Sequence, residues 1–167
     1  MDNLFKEFKN YVIKKIDEQN MYEVFNLYEK NIEFCQSVSE KPTIDTIKDA
    51  MTALPANTSM DKKYFLAFYK TKKIIAILDI IDGYPDSETA FIGLFMVDKN
   101  IQGQGIGKSI IKELLHLLKI YGYKKVRLGV VENSKKPFVF WSIFGFKIVS
   151  EPLKRENYNI IMMELNL

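Results

Sequence analysis

Changes in the spacing of apolar and polar residues divide the first half of the chain into elements. Aromatic and β-branched residues predict strands over 11–16, 64–69 and 74–81. Apolar side chains at helical spacing predict a helix over 18–36, and a threonine N-cap opens a second helix over 43–53. Only a short polar link separates the last two strands, so we expect them to form a β-hairpin.

The second half of the chain alternates strands and helices. A helix that begins near Ile106 carries one apolar face and ends at Gly122. A shorter helix is predicted over 136–143. The complete order, β-α-α-β-β-β-α-β-α-β-β, predicts a mixed α/β domain. The remaining apolar runs predict strands over 89–97, 125–131, 146–149 and 158–165.

Length and charge narrow the class of protein. The chain has 167 residues, which suits a single domain over 1–167. Its net charge is +3, from 24 basic and 21 acidic residues, so it gives no argument for nucleic acid or an anionic membrane as the main partner. We therefore expect neither a nucleic-acid nor a membrane partner.

Cysteine and histidine content restricts the chemistry further. With one cysteine and one histidine, the chain has no internal disulfide and no metal site built from several such ligands, and we expect no metal. Cys35 lies on an apolar helix face and is predicted to be buried, whereas His116 lies on a polar face and is predicted to be exposed. No apolar run reaches the roughly 18 residues of a membrane span, and no signal peptide is recognisable, so we expect a cytoplasmic location.

A glycine-rich loop between a strand and a helix is the strongest chemical signal. Gly103, Gly105 and Gly107 alternate with other residues just before the helix begins. Glycines let backbone N–H groups converge, and a helix start adds unpaired donors and a positive dipole end. The loop is therefore predicted to bind an anion, most often a phosphate.

Three readings of this loop compete with one another on spacing alone. A Walker A loop would match at Gly107-Lys108-Ser109 but requires a glycine where Gln102 stands. A dinucleotide fingerprint needs a different glycine spacing. A ligand-free loop would lose backbone entropy without any gain.

A fourth reading fits without change. Residues 102–107, Gln-Gly-Gln-Gly-Ile-Gly, resemble the Gln/Arg-x-x-Gly-x-Gly/Ala loop of the GNAT acetyltransferase superfamily. Residues 140–146, Phe-Trp-Ser-Ile-Phe-Gly-Phe, are similar to a second segment of that family, and Asn133 lies between the two. The resemblance implies a strongly twisted, mixed but mostly antiparallel sheet of about seven strands with about four flanking helices, splayed between the fourth and fifth strands.

The resemblance also implies a site for acetyl-CoA in that splay. Backbone N–H groups of the glycine loop would take the pyrophosphate, and the preceding strand would pair with the pantetheine arm. An amide near Met96 or Val97 would polarise the thioester carbonyl. Asn133 would bond the pantetheine region. Lys135 or Lys136 would contact a CoA phosphate, or the two would form an ordinary solvated lysine pair. The CoA-binding residues implied are Phe95, Met96, Val97, Gln102, Gly103, Gln104, Gly105, Ile106, Gly107, Lys108, Asn133, Lys136 and Trp141.

Trp141 departs from the family pattern. Many members carry a tyrosine there that protonates the departing thiolate, whereas an indole N–H donates a hydrogen bond but no proton. A thiol of pKa about 8.5 is a tolerable leaving group, so the reaction does not require that tyrosine. Tyr158 is a weak substitute for it. The segment between Asn133 and Gly145 is also one residue longer than is usual, with Pro137 inside it.

Two carboxylates are candidates for the general base or for amine recognition. Asp79 interrupts an apolar strand, where a charge is costly unless it is paired or faces a cleft. Glu88 precedes the strand that leads into the glycine loop. An edge-exposed aspartate is an equally good reading of Asp79. Tyr84 and Pro85 form a turn that would wall the acceptor site or simply lie at the surface.

These observations predict an N-acetyltransferase that moves an acetyl group from acetyl-CoA to a primary amine by direct attack in a ternary complex. The acceptor is a small molecule or peptide, and the protein is a monomer or homodimer. A covalent Cys35 intermediate is disfavoured because nothing in the sequence activates that thiol. The alternatives are a non-catalytic CoA-binding regulatory domain and a P-loop nucleotide binder.

Overall fold

The computed structural model describes residues 1–38 and 41–167, and within them one sheet with helices on both faces forms the fold. These described residues form more elements than predicted, with eight strands and six α-helices. The strands are β1 (Val12–Lys15), β2 (Lys63–Lys70), β3 (Lys73–Asp82), β4 (Thr89–Val97), β5 (Lys125–Val131), β6 (Lys147–Ile148), β7 (Leu153–Lys154) and β8 (Asn159–Asn166).

Three helices lie before the hairpin where two were predicted, and a further one precedes β1. Met21–Lys30 and Ile32–Ser37 replace the single helix expected over 18–36. Asn31 separates them because its backbone leaves the helical region and its side-chain Nδ2 donates to the Leu27 carbonyl at 2.9 Å. The helices are α1 (Asp2–Lys6), α2 (Met21–Lys30), α3 (Ile32–Ser37), α4 (Ile44–Thr52), α5 (Ile106–Ile120) and α6 (Lys135–Ser142).

The sheet has the strand order β1-β2-β3-β4-β5-β8-β6, with β7 also paired to β8. Every pairing is antiparallel except that of β4 with β5. The predicted hairpin is confirmed, because Lys70 pairs with Lys73 across Thr71 and Lys72, both at positive φ. The additional strand relative to the expected seven is the two-residue β7.

The predicted splay lies between the fourth and fifth strands. The parallel pairing of β4 with β5 begins at Thr89 with Lys125 and ends at Ile92 with Leu128. Both strands continue beyond that point, β4 to Val97, so a cleft opens between them.

Apolar side chains form a core on each face of the sheet. One face packs against α1 and α5, and the buried side of α5 carries the predicted Ile110, Leu114, Leu117 and Leu118. The other face packs against α2 and α4, with Val24 and Ile47 fully buried. Within the described residues, none of the helices has the length and apolar character needed to cross a bilayer.

Candidate functional site

A cavity of about 770 Å³ occupies the splay, which is within the range of small-molecule sites. The end of β4, the glycine loop, the start of α6 and the α2–α3 region enclose it. Most of the residues predicted to bind CoA are brought together here: Phe95, Met96, Val97, Gln102, Gly103, Gly105, Gly107, Lys108, Asn133, Lys136 and Trp141.

The glycine loop adopts the shape that its sequence predicts. Gly103 and Gly105 have φ of +78° and +81°, and a Cβ at either position would meet nothing within 4 Å. Their glycine identity therefore serves backbone conformation. Gly105 is the N-cap of α5, so the first amides of that helix have no partner within it.

Glycine is required at position 107 for a different reason, which is the close packing of α5 against β4. A Cβ there would lie 3.2 Å from Val97 Cγ2 and 3.5 Å from the Phe95 ring. The absence of a side chain lets the first turn of α5 approach the end of β4, where the cavity lies. Of the two other predicted loop residues, Ile106 packs on the core as expected, and Gln104 stays exposed with its side chain 3.4 Å from the Asn100 carbonyl.

The free edge of β4 offers amides to a ligand. The N–H of Asp98 donates to the Ile75 carbonyl of β3, so by the alternation of a strand the N–H of Met96 also faces β3. The amides of Phe95 and Val97 then face the splay. This argues against Met96 as the oxyanion donor and favours Phe95 or Val97.

Gln102 and Asn31 fasten the loop to the helical layer. The Gln102 Nε2 donates to Asn31 Oδ1 at 2.8 Å and to the Val97 carbonyl at 3.0 Å. Asn31 is buried, and its Nδ2 donates to the same carbonyl at 3.2 Å. Asn31 was not predicted as a site residue, because its only signal is a polar side chain inside a helical pattern.

Charged side chains surround the cavity mouth. Glu33 on α3 accepts hydrogen bonds from Lys99 at 2.9 Å and Lys136 at 3.0 Å, and these two lysines hold the pKa of Glu33 below its usual value. Lys108 and Lys135 also line the cavity. Among the described lining residues, four lysines against one carboxylate leave a positively charged surface, which suits a polyanionic ligand.

Asn133 and Trp141 form the wall opposite β4. Asn133 lies in the turn after β5 at a φ of +67°, a conformation that asparagine tolerates better than most residues. Trp141 is 7% exposed and packs edge-on against Phe140 and Phe146, with ring centroids 5.1 and 5.3 Å apart. None of the described residues that line the cavity is a tyrosine, cysteine or histidine.

The two candidate carboxylates, Glu88 and Asp79, differ in their position relative to the cavity. Glu88 lies in the turn before β4, seven residues from Phe95, and at about 3.3 Å per residue this places it roughly 23 Å from the cavity end of the strand. That distance rules out a direct proton transfer there. Glu88 instead supplies its carbonyl to the Lys124 amide at 2.8 Å.

Asp79 lies on β3 beside the splay, opposite Leu94 of β4. Its two carboxylate oxygens each accept from Lys63 Nζ at 2.8 Å. Burial raises the pKa of the Asp79 carboxyl, although the Lys63 ammonium acts in the opposite direction. The aspartate is therefore paired and mostly buried, and the edge-exposed reading is wrong.

The other residues considered from sequence lie away from the cavity. His116 is exposed on α5, and Cys35 is buried at 2% exposure, both as predicted. Tyr84 packs edge-on against Phe91, with ring centroids 5.4 Å apart.

Known proteins share both this fold and part of this sequence. An acetyltransferase from Thermus thermophilus superposes with a TM-score of 0.76 at 15% identity, over 95% of this chain and 98% of that one. The ribosomal-protein-S18-alanine N-acetyltransferase of Escherichia coli superposes at 0.66 and 15% identity, over 93% of both chains. At these identities the likeness concerns the fold.

Sequence similarity is more local. A probable spermine N(1)-acetyltransferase of Bacillus subtilis subsp. natto (strain BEST195) is 36% identical over 58 residues, which are 34% of this chain and 38% of that protein. The spermine/spermidine N(1)-acetyltransferase of Bacillus subtilis (strain 168) is 34% identical over the same length. The matched segment thus spans well under half of either relative.

The family model described as the acetyltransferase (GNAT) family matches residues 21–146. That range runs from α2 to the end of the aromatic segment around Trp141, and it contains the β4–β5 splay and the glycine loop. The chain therefore belongs to the acetyltransferase (GNAT) family.

Proposed function

We propose that the protein is an N-acetyltransferase that transfers an acetyl group from acetyl-CoA to a primary amine. The observation that carries this proposal is the cavity in the β4–β5 splay, where a glycine loop, free β4 amides and a lysine-rich mouth converge. These features suit the pyrophosphate, the pantetheine amides and the remaining phosphate of CoA, respectively. When bound, acetyl-CoA supplies the acetyl group as an activated thioester.

The chain's own groups have separate roles in this proposal. Amides of Gly105, Gly107 and Lys108 bind phosphate oxygens, and the amide of Phe95 or Val97 donates to the acyl carbonyl. Asp79 recognises the acceptor ammonium and takes one of its protons, which then passes to solvent and leaves the neutral amine that attacks the thioester carbonyl. As the C–N bond forms and the C–S bond breaks, the nitrogen loses a second proton to solvent. Trp141 contributes packing and a hydrogen-bond donor, and the leaving thiolate takes its proton from solvent.

Thermal shift and thiol release together test this function. A ligand at 100 times its dissociation constant stabilises a protein by about 2.7 kcal/mol, so CoA and acetyl-CoA are expected to raise Tm where ATP does not. Stabilisation by ATP alone would instead support a nucleotide-binding loop. CoA binding without thiol release across a broad amine panel would favour the regulatory alternative.

The amine panel begins with spermine and spermidine, since two relatives carry polyamine acetyltransferase names. Peptides with free α-amino groups and aminoglycosides complete it. Asp79→Asn is expected to lower kcat/KM for the best acceptor while leaving CoA affinity unchanged, because Asp79 does not line the CoA cavity. Unchanged turnover and acceptor affinity in this variant would remove Asp79 from the mechanism.

A further inference from the structure

Lys63 on β2 is a buried ammonium outside the CoA cavity. Its side chain is 1% exposed, and its Nζ lies 2.8 Å from each oxygen of Asp79. Lysine is almost never this buried without a partner, because removing the charge from water is costly. Lys63 and Asp79 therefore form a buried ion pair, and the role of this pair depends on where it lies in the fold.

The contact of Asp79 with Gly93 shows that this pair lies beside the splay. The pairing of β3 with β4 shifts between Asp79 and Ile80, which leaves Gly93 unpaired in a β-bulge. A Cβ on Gly93 would lie 2.8 Å from Asp79 Oδ2, so the carboxylate fills the space that a side chain would take. Gly93 is exposed and directly follows the last β4–β5 pair.

Among the described residues, Lys63 is the charged group that acts on the Asp79 carboxyl. The facing positions on β4, Gly93 and Leu94, carry no charge. Helices α2 and α4 also pack on this face, but both present mainly apolar residues to the sheet. The charged residues of α2 (Glu23, Glu29 and Lys30) and of α4 (Asp45, Lys48 and Asp49) are exposed.

We infer that Lys63 is a positioning residue, whose ammonium holds the Asp79 carboxylate against the Gly93 bulge and keeps it ionised for the acceptor amine. The inference rests on the proposed transferase function. Without Lys63, a carboxyl this buried would favour its neutral form, which neither attracts an ammonium nor accepts its proton. Lys63 on β2 and Asp79 on β3 would thus place a carboxylate at the surface of β4 beside Gly93, a position where β4 has no side chain of its own.

The pH dependence of kcat/KM tests this role. An opposite charge within bonding distance lowers a carboxyl pKa by about 1–3 units, so Lys63→Met is expected to move the acid limb up by about 1–3 pH units. Lys63→Arg keeps the positive charge and should keep the limb close to that of the wild type. Lys62→Met is the matched control, because Lys62 is the neighbouring lysine and is about half exposed.

Carboxyl carbon-13 NMR measures the same effect without an acceptor. The Asp79 resonance, assigned by its loss in Asp79→Asn, should titrate about 1–3 pH units higher in Lys63→Met than in the wild type. Unaltered CoA affinity shows that the variant is folded. If Lys63→Met does not fold, Lys63→Gln, which retains a hydrogen-bond donor without the charge, takes its place.

The outcomes separate this inference from the proposed function. An Asp79 resonance that titrates identically in the wild type and in Lys63→Met overturns the role of Lys63, whatever the activity. If the Asp79 resonance shifts in Lys63→Met but Asp79→Asn keeps full activity, Lys63 still acts electrostatically on Asp79. Asp79 then has no part in the reaction, and the positioning role of Lys63 is overturned.

Discussion

Gln102→Ala tests whether one side chain holds the glycine loop to the helical layer. The Gln102 amide donates at 2.8 Å to Asn31 Oδ1, on a residue that is 6% exposed, and at 3.0 Å to the Val97 carbonyl. Truncation leaves Asn31 Oδ1 without this donor, whereas Val97 keeps the Asn31 Nδ2 bond at 3.2 Å. One orphaned buried acceptor costs about 1–3 kcal/mol of unfolding free energy.

The size of this loss can be read from thermal or urea unfolding in the absence of CoA. For a domain of about 150–250 residues, each kcal/mol shifts Tm by about 2–4 °C, so a loss of about 2 kcal/mol lowers Tm by roughly 4–8 °C. Gln104→Ala is the matched control, since this exposed loop glutamine makes one long bond of 3.4 Å, and it should change stability by less than about 0.5 kcal/mol.

Two further variants separate donation from packing. Gln102→Glu keeps the size of the side chain but replaces the N–H donors with a carboxylate that faces two acceptors, so it should be at least as unstable as Gln102→Ala. Asn31→Ala combined with Gln102→Ala should show a coupling of about 0.5–3 kcal/mol. Additive effects, or a Gln102→Glu protein as stable as the wild type, would refute the reasoning.

Two other predictions follow from the site. Hydrogen bonds from Lys30 and from the Asn100 amide outweigh burial and lower the pKa of Asp98, so its contribution to the free energy of unfolding is present above pH 3.8 and is lost as pH falls through the lowered folded pKa. Acid titrations of unfolding should show a smaller loss for Asp98→Asn, and identical curves would contradict this account. Trp141 is the only tryptophan and lines the cavity, so CoA should change the tryptophan emission with the same dissociation constant that calorimetry gives. Calorimetric binding without any change in emission would place CoA elsewhere.

Local chemistry determined much of this protein from the sequence alone. Apolar periodicity predicted the hairpin, β4 and α5, because these elements bury one continuous face or run. The alternation of Gly103, Gly105 and Gly107 predicted the conformation of the glycine loop, since positive φ and close packing each require glycine there. The break at Asn31 was missed. Asn31 Nδ2 donates to the Leu27 carbonyl of the preceding turn and to the Val97 carbonyl, 66 residues away, and the second bond exists only in the tertiary structure.

The Lys63–Asp79 pair was decided by tertiary structure. The two-residue turn predicts a register in which Asp79 lies opposite Tyr64, with Lys63 on the other face of the sheet. A bulge near Phe68 shifts this register by one residue, so that Asp79 lies opposite Phe65 and shares a face with Lys63. A one-residue slip exchanges the two faces of a strand, and the turn alone does not determine it. Whether Lys63 can pair with Asp79 therefore depends on a bulge in the β2–β3 pairing.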